Sequence, residues 1–278
     1  MTRLLASIPS PSSSAIHIGD FQLRAYGLMI ALGVLAAVTI ARRRWEAKGG
    51  DPDDMSAAAT WGVPAGLIGA RLYHVITDWQ SFRGEWLDVF KVWQGGLGIP
   101  GGLLAGVGVG AYVAHRRGMS LPDAMDAIAP AIPVAQAVGR LGNWFNQELF
   151  GGPTGLPWGL RIDPDQRPDR YADSETFHPT FLYEAIWNLA LAYLVLRLDR
   201  SGRLRRGQAF CVYVAGYGVG RLWVESLRVD PASLLLGVRV NIWVSLLAIA
   251  GGLAGYVWCA RRRPEDQAAV GPASSASA

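Results

Sequence analysis

The sequence predicts an all-α integral membrane protein with seven transmembrane helices, and three observations carry that prediction. Half of its 278 residues are apolar, at 51%, and the mean hydropathy is +0.20. Charged residues cluster between apolar runs instead of spreading evenly. The runs recur at roughly 18 to 21 residues, enough at the helical rise to cross a hydrocarbon core of about 30 Å.

Seven spans follow: Leu23 to Ala41, Ala57 to Thr77, Leu97 to Ala114, Leu121 to about Leu141, Thr180 to Leu198, Gln208 to Leu227 and Asn241 to Ala260. The basic groups Arg42 to Arg44 with Lys48, Arg116 with Arg117, Arg200 to Arg206 and Arg261 to Arg263 fall on one side of this arrangement. By the positive-inside rule that side is the cytoplasm, so the N-terminus is outside and the C-terminus inside. The net charge of +4 and pI near 9.3 thus have a topological cause. Nucleic acid is not implied, because the basic loops lack the interleaved aromatics of a single-strand binder. Cys211 and Cys259 lie within spans without a CxxC or Cys/His cluster, which reads as packing, with no metal site.

Residues 1–22 form an outer arm. The start, MTRLLAS followed by PSPSSS, has no apolar core of signal-peptide length and is not read as cleaved. Ile16 to Arg24 alternates around Gly19-Asp20, either a short hairpin or an extended arm. The membrane body runs over 23–263. Glycines at Gly62, Gly66 and Gly69, and at Gly102, Gly106 and Gly110, are spaced for close helix packing. Gly95 to Gly102 carries five glycines and a proline, too many for regular helix, and is expected to wall a cavity. Trp79, Trp86 and Trp93 flank it as an interfacial belt. Pro130 and Pro133 predict a kink in the fourth span. A polar, irregular cap is expected at about 146–179, and a disordered cytoplasmic tail at 264–278.

Function is concentrated where polar groups enter apolar runs. Val138 to Gly151, VGRLGNWFNQELFG, places Arg140, Asn143, Asn146, Gln147 and Glu148 at the end of the fourth span. Such groups are costly in a bilayer unless they pair or serve a polar ligand. In the sixth span Tyr217, Arg221 and Glu225 follow i, i+4, i+8 and share one helix face. With Arg71 and Glu184 they all fall toward the outer leaflet, with arginines expected to outnumber acids. Guanidinium forks match phosphate oxygens, and a phospholipid headgroup is the available anion. The alternative for Arg221 and Glu225 is a structural ion pair, and for Tyr26 an interfacial anchor.

The pattern GRxGNxxNxELxG, here Gly139, Arg140, Gly142, Asn143, Asn146, Glu148, Leu149 and Gly151, resembles the signature of bacterial prolipoprotein diacylglyceryl transferases. RAYGLM with Tyr26 and Gly27, GGLGIPGG, HPTFLYE from His178 to Glu184 and YGVGRLWVESLR extend the likeness over most of the chain. The resemblance implies a multi-pass enzyme of the bacterial cytoplasmic (inner) membrane acting in lipoprotein biosynthesis. It would transfer the diacylglyceryl group of phosphatidylglycerol to the lipobox cysteine of a prolipoprotein signal peptide, forming a thioether and releasing glycerol phosphate. It further implies catalytic roles for Arg140, Arg221 and Tyr26. Phosphatidylglycerol would be bound by Arg140, Asn143, Asn146, Glu148, Gly151, Tyr217, Arg221 and Glu225, without metal or organic cofactor. Many family members carry a histidine, a suggested base, where this chain has Pro100, which leaves His178 as a possible base. The competing classes are an anion or lipid transporter and a phospholipid-binding protein without chemistry. Polar groups confined to the outer half, and the lack of a repeat between the two halves, argue against transport.

Overall fold

A computed structural model describes residues 7–18, 21–92 and 95–262. The expected Gly19-Asp20 turn, Trp93 of the belt and the 264–278 tail lie outside the described residues. Among the described residues the chain is mostly helical, with eight α-helices and three two-stranded antiparallel ladders. The helices are α1 (Ala25–Ala47), α2 (Pro52–Thr77), α3 (Ile99–Arg116), α4 (Leu121–Ile128), α5 (Ala131–Asn146), α6 (Thr180–Arg200), α7 (Gln208–Leu227) and α8 (Val240–Arg261). Three of them, α1, α6 and α8, are long and apolar enough to cross a membrane. Leu35, Tyr193 and Leu247 on these helices are largely exposed, which water penalises and lipid favours.

The expected fourth span is two helices. The chain leaves helical geometry after Ile128 and resumes at Ala131, with Pro130 as the residue before the new helix and Pro133 in its first turn. Neither proline needs a backbone donor there, so the pair produces a break where a kink was expected.

The chain divides into two compact units, one of Met1–Ile40 with Ile128–Arg263, the other holding Ala41–Ala127. In the second, Asp51 caps α2 by accepting from the Asp53 amide at 2.9 Å, with Pro52 as its first residue. The α2 and α3 glycines face each other as their spacing predicts. A Cβ on Gly69 would stand 2.5 Å from the Gly101 carbonyl oxygen, and one on Gly62 3.2 Å from that of Gly106. The glycine-rich run departs from expectation, because Ile99–Gly102 already form the first turn of α3. Its irregular part holds an arginine. Arg71 is buried and donates to the carbonyls of Val89 at 2.8 Å, Gly95 at 2.7 Å and Gly96 at 3.0 Å, and also to Asp88. Those bonds commit its fork to its own loop, which removes Arg71 from the expected anion receptor.

In the first unit the N-terminal segment is a hairpin, β1 (Ala15–Ile18) against β2 (Phe21–Arg24), and α1 follows without a linker. Trp187 of α6 donates to the Gly216 carbonyl of α7 at 2.9 Å, and Ala129, Leu191, Val195, Ala209 and Tyr213 form a buried core. Cys211 packs against Gly255 of α8, in line with a packing role.

The cap is more ordered than its composition predicts. Strands β3 (Leu160–Arg161) and β4 (Thr176–Phe177) pair across it, and Phe150, Leu160, Ile162, Phe177 and Phe181 bury together. The arm is fastened to it, the Ile8 amide donating to Gly159 and accepting at its carbonyl from Arg161, both at 2.9 Å. A small apolar core hidden among Pro, Gly, Asp and Arg thus fixes the roof of this unit. A last hairpin, β5 (Leu234–Leu235) with β6 (Val238–Arg239), joins α7 to α8.

Candidate active site

Helices α5, α6 and α7 bring the predicted charges to one place. Glu184 on the first turns of α6 accepts from Arg140 of α5 at 2.6 Å and from Arg221 of α7 at 3.3 Å, and is itself only 3% exposed. One carboxylate therefore holds two guanidinium groups from different helices. Arg221 also meets Glu225, one turn along its own helix, at 2.7 Å. Tyr217 lies one turn before Arg221 on the same face of α7. On the i, i+4, i+8 face Arg221 thus reaches α6 through Glu184 and its own helix through Glu225.

The end of α5 turns sharply to present its amides. Gln147 adopts a left-handed conformation, with φ of 52°, and the Glu148 amide donates back to the Asn143 carbonyl at 3.1 Å, a Schellman-type closure. Leu149 follows at φ of 59°, so two non-glycine residues flank Glu148 in a sparsely populated region. Such strain costs on the order of 1–3 kcal/mol per residue and is kept where the surroundings hold it. Here they do. The Asn143 side chain accepts from Arg140 at 3.2 Å and donates to Glu148 at 2.8 Å, and Asn146 donates to the same carboxylate oxygen at 3.2 Å. Gln147 and Asp163 exchange bonds of 2.6 and 2.9 Å, locking the turn to the cap. Asn146 and Glu148 then face a cleft of about 400 Å³, shared with Ser12 and Asp163.

Glu225 is 1% exposed and meets a third and fourth arginine, Arg239 at 2.6 Å and Arg228 at 3.7 Å, with Asn241 at 3.3 Å. Arg228 forks onto Asp230 at 2.6 and 2.7 Å. This corrects the expected excess of arginine. Arg140, Arg221, Arg228 and Arg239 meet Glu184, Glu225, Asp230 and, through Asn143, Glu148, so the network as a whole is balanced. The surplus is local: among the described residues only Glu184 stands between Arg140 and Arg221. Each of those arginines makes two side-chain bonds to carboxylate or amide oxygens, out of five donors. Arg140, with 22% of its side chain accessible, is the more open of the two.

The remaining predicted residues are placed as follows. Tyr26, 38% exposed, lies against Gly142, whose missing Cβ would sit 2.6 Å from its ring. Gly151 is a backbone crossing, its amide donating to His178 at 2.9 Å while a Cβ would meet the Leu227 carbonyl at 2.9 Å. The His178 ring contacts the Tyr183 hydroxyl at 3.2 Å, which also accepts from Trp158 at 3.0 Å. Sequence reasoning counted Glu184 among the outer charges without giving it a site role, and missed Arg239, Asn241 and Asp230. The last three sit in or beside a hairpin whose leucines look like membrane surface, and no spacing ties them to Glu225.

These features define a membrane-type helical protein whose arginine pair, bridged by one buried carboxylate, is suited to receive an anion. The chain belongs to the prolipoprotein diacylglyceryl transferase family: the family model of that description matches residues 13–258. It is 48% identical over 272 residues to a phosphatidylglycerol--prolipoprotein diacylglyceryl transferase of Streptomyces griseus, covering 96% of this chain and 82% of that one. A relative of the same description from Frankia alni is 49% identical, over 95% of this chain and 70% of its own length. One from Rhodococcus jostii is 47% identical, over 97% and 79%.

Proposed function

We propose that this protein transfers the diacylglyceryl group of phosphatidylglycerol to the lipobox cysteine of a prolipoprotein. The sulfur forms a bond to the glyceryl carbon, the bond from that carbon to phosphate oxygen breaks with its electrons on oxygen, and glycerol phosphate and a proton are released. The observation that carries this reading is Glu184 shared between Arg140 and Arg221, which presents two guanidinium forks to one anion.

In this reading Arg140 and Arg221 bind the lipid phosphate and stabilise the negative charge growing on it as it leaves. Their positive field also favours the thiolate of the incoming cysteine, whose ordinary pKa is about 8.5. Asn143, Asn146 and Tyr217 offer hydrogen bonds to headgroup and peptide, Glu148 and Glu225 hold the donors in place, and Tyr26 and Gly151 shape the site. Arginine-assisted ionisation takes the place of a base at Pro100. The chain would cross the bacterial inner membrane seven times. Basic groups at the ends of α1, α3, α6 and α8 support a cytoplasmic C-terminus.

The test is mass spectrometry of a synthetic lipobox peptide incubated with purified protein and phosphatidylglycerol. A diacylglyceryl mass gain on cysteine is expected, with Arg140→Ala slower by about 10²- to 10³-fold, the cost of one lost charge-stabilising donor. A folded protein that binds the lipid but adds no mass would refute the reading.

A further inference from the structure

The polar cluster does not end at Arg140, Glu184 and Tyr217. One helical turn farther along each helix, on the side away from the cap, stands another polar residue: Gln136 on α5, Asn188 on α6 and Tyr213 on α7. The four-residue spacing puts each on the same face as the residue above it. Tyr213 and Tyr217 have ring centroids 6.1 Å apart.

This lower layer is under-satisfied. Asn188 is 0% exposed, yet neither its amide nitrogen nor its oxygen has a hydrogen-bond partner among the described residues, and neither does Gln136 Oε1. Buried side-chain polar atoms are nearly always paired, because an unpaired one forfeits its hydration without return. Packing gives no reason for an asparagine here, where Leu191 and Val195 follow on the same helix as part of a closed apolar core.

We infer that Asn188 and Gln136 form a hydroxyl-reading subsite that selects the glycerol headgroup of the phospholipid donor. The inference rests on the transferase reading and extends it to specificity. With phosphate on Arg140 and Arg221, a three-carbon polyol continuing from it reaches the next turn, about 5.4 Å along the helix axis. A carboxamide offers a donor and an acceptor side by side, the complement of a diol, and Gln136 Oε1 adds a second acceptor. None of these atoms is charged, so the layer rewards hydroxyls rather than an ammonium or a second phosphate.

The experiment compares phosphatidylglycerol with phosphatidylmethanol as donor, at equal acyl chains. Both are phosphodiesters of the same charge with leaving groups of similar chemistry, but only the first has headgroup hydroxyls. The native protein is expected to favour phosphatidylglycerol in kcat/KM. In Asn188→Leu the phosphatidylglycerol value should fall about tenfold or more, the scale of one lost hydrogen bond, while the phosphatidylmethanol value holds. Gln136→Met supplies the same comparison should the leucine variant fail to fold. An unchanged donor preference in a folded variant would overturn the inference, as would a native protein using both lipids equally. No transfer from either lipid would instead overturn the transferase reading itself.

Discussion

Glu184→Gln tests the centre of the site most directly. The substitution keeps size and hydrogen-bonding atoms but removes the only negative charge between Arg140 and Arg221, which it meets at 2.6 and 3.3 Å. At an effective dielectric near 20, each ion pair of about 4 Å between charge centres is worth about 4 kcal/mol before desolvation. Removing one partner of a buried pair costs about 3–5 kcal/mol where the charge left behind has neither water nor counter-ion; here Arg221 keeps Glu225 at 2.7 Å. Arg140 is partly accessible, so the lower end applies, about 3 kcal/mol. For a chain of this size that is a fall in Tm of roughly 6–10 °C. The assay is thermal unfolding of the purified protein, repeated with glycerol phosphate. An anion that replaces the lost carboxylate should restore more Tm in the variant than it adds to the native protein, because the variant has more positive charge to neutralise. A variant within about 2 °C of the native Tm, with no response to the anion, would show that Glu184 is not the bridge.

Three further outcomes follow from the same geometry. Burial works against the charged form of Asp230, but the hydrogen bonds from Arg228 and the charges of Arg228 and Arg239 outweigh it and hold the carboxyl below its ordinary value. Its folded pKa is below its unfolded one, so its stabilisation is complete above about pH 4 and is lost as pH falls through the folded value. Asp230→Asn should therefore lower Tm at pH 7 and lose that difference in acid, and a gap that persists at pH 2 would contradict the assignment. Gly151→Ala should cost about 1–3 kcal/mol in denaturant melts, because its Cβ would lie 2.8 Å from the His178 Cβ and 2.9 Å from the Leu227 carbonyl. His178→Ala should keep turnover within about tenfold, since its ring is engaged by Tyr183 and arginine-assisted ionisation needs no base. A folded His178→Ala protein that transfers nothing would return the base to the mechanism.

What the sequence made legible follows from the range of the interactions concerned. Helix boundaries for the last three spans agree with the structure to within two residues, because apolar length and the charges that end it are local properties. Tyr217, Arg221 and Glu225 were legible as one face for the same reason. The hidden parts are tertiary. Arg71 looks like any outer-half arginine in sequence, and only the structure shows its donors taken by the carbonyls of Asp88, Gly95 and Gly96. The cap core is dispersed, with Phe150, Leu160, Ile162 and Phe177 separated by turn residues that mask any period.

Charge balance shows the difference most clearly. From composition, arginines in the outer half outnumber acids, and the excess alone pointed to an anion. In the folded unit Arg228 and Arg239 are engaged by Asp230 and Glu225, so they contribute no free positive field. The proposed anion receptor does not need that excess, because its strength depends on which guanidinium groups share a counter-ion rather than on how many there are. Glu184 divides one negative charge between two arginines on separate helices, while Asn143 and Glu148 brace the more accessible of them. A phosphate entering this arrangement meets donors already held in position by contacts made within the protein, and the reorganisation that free arginines would need has been met in folding.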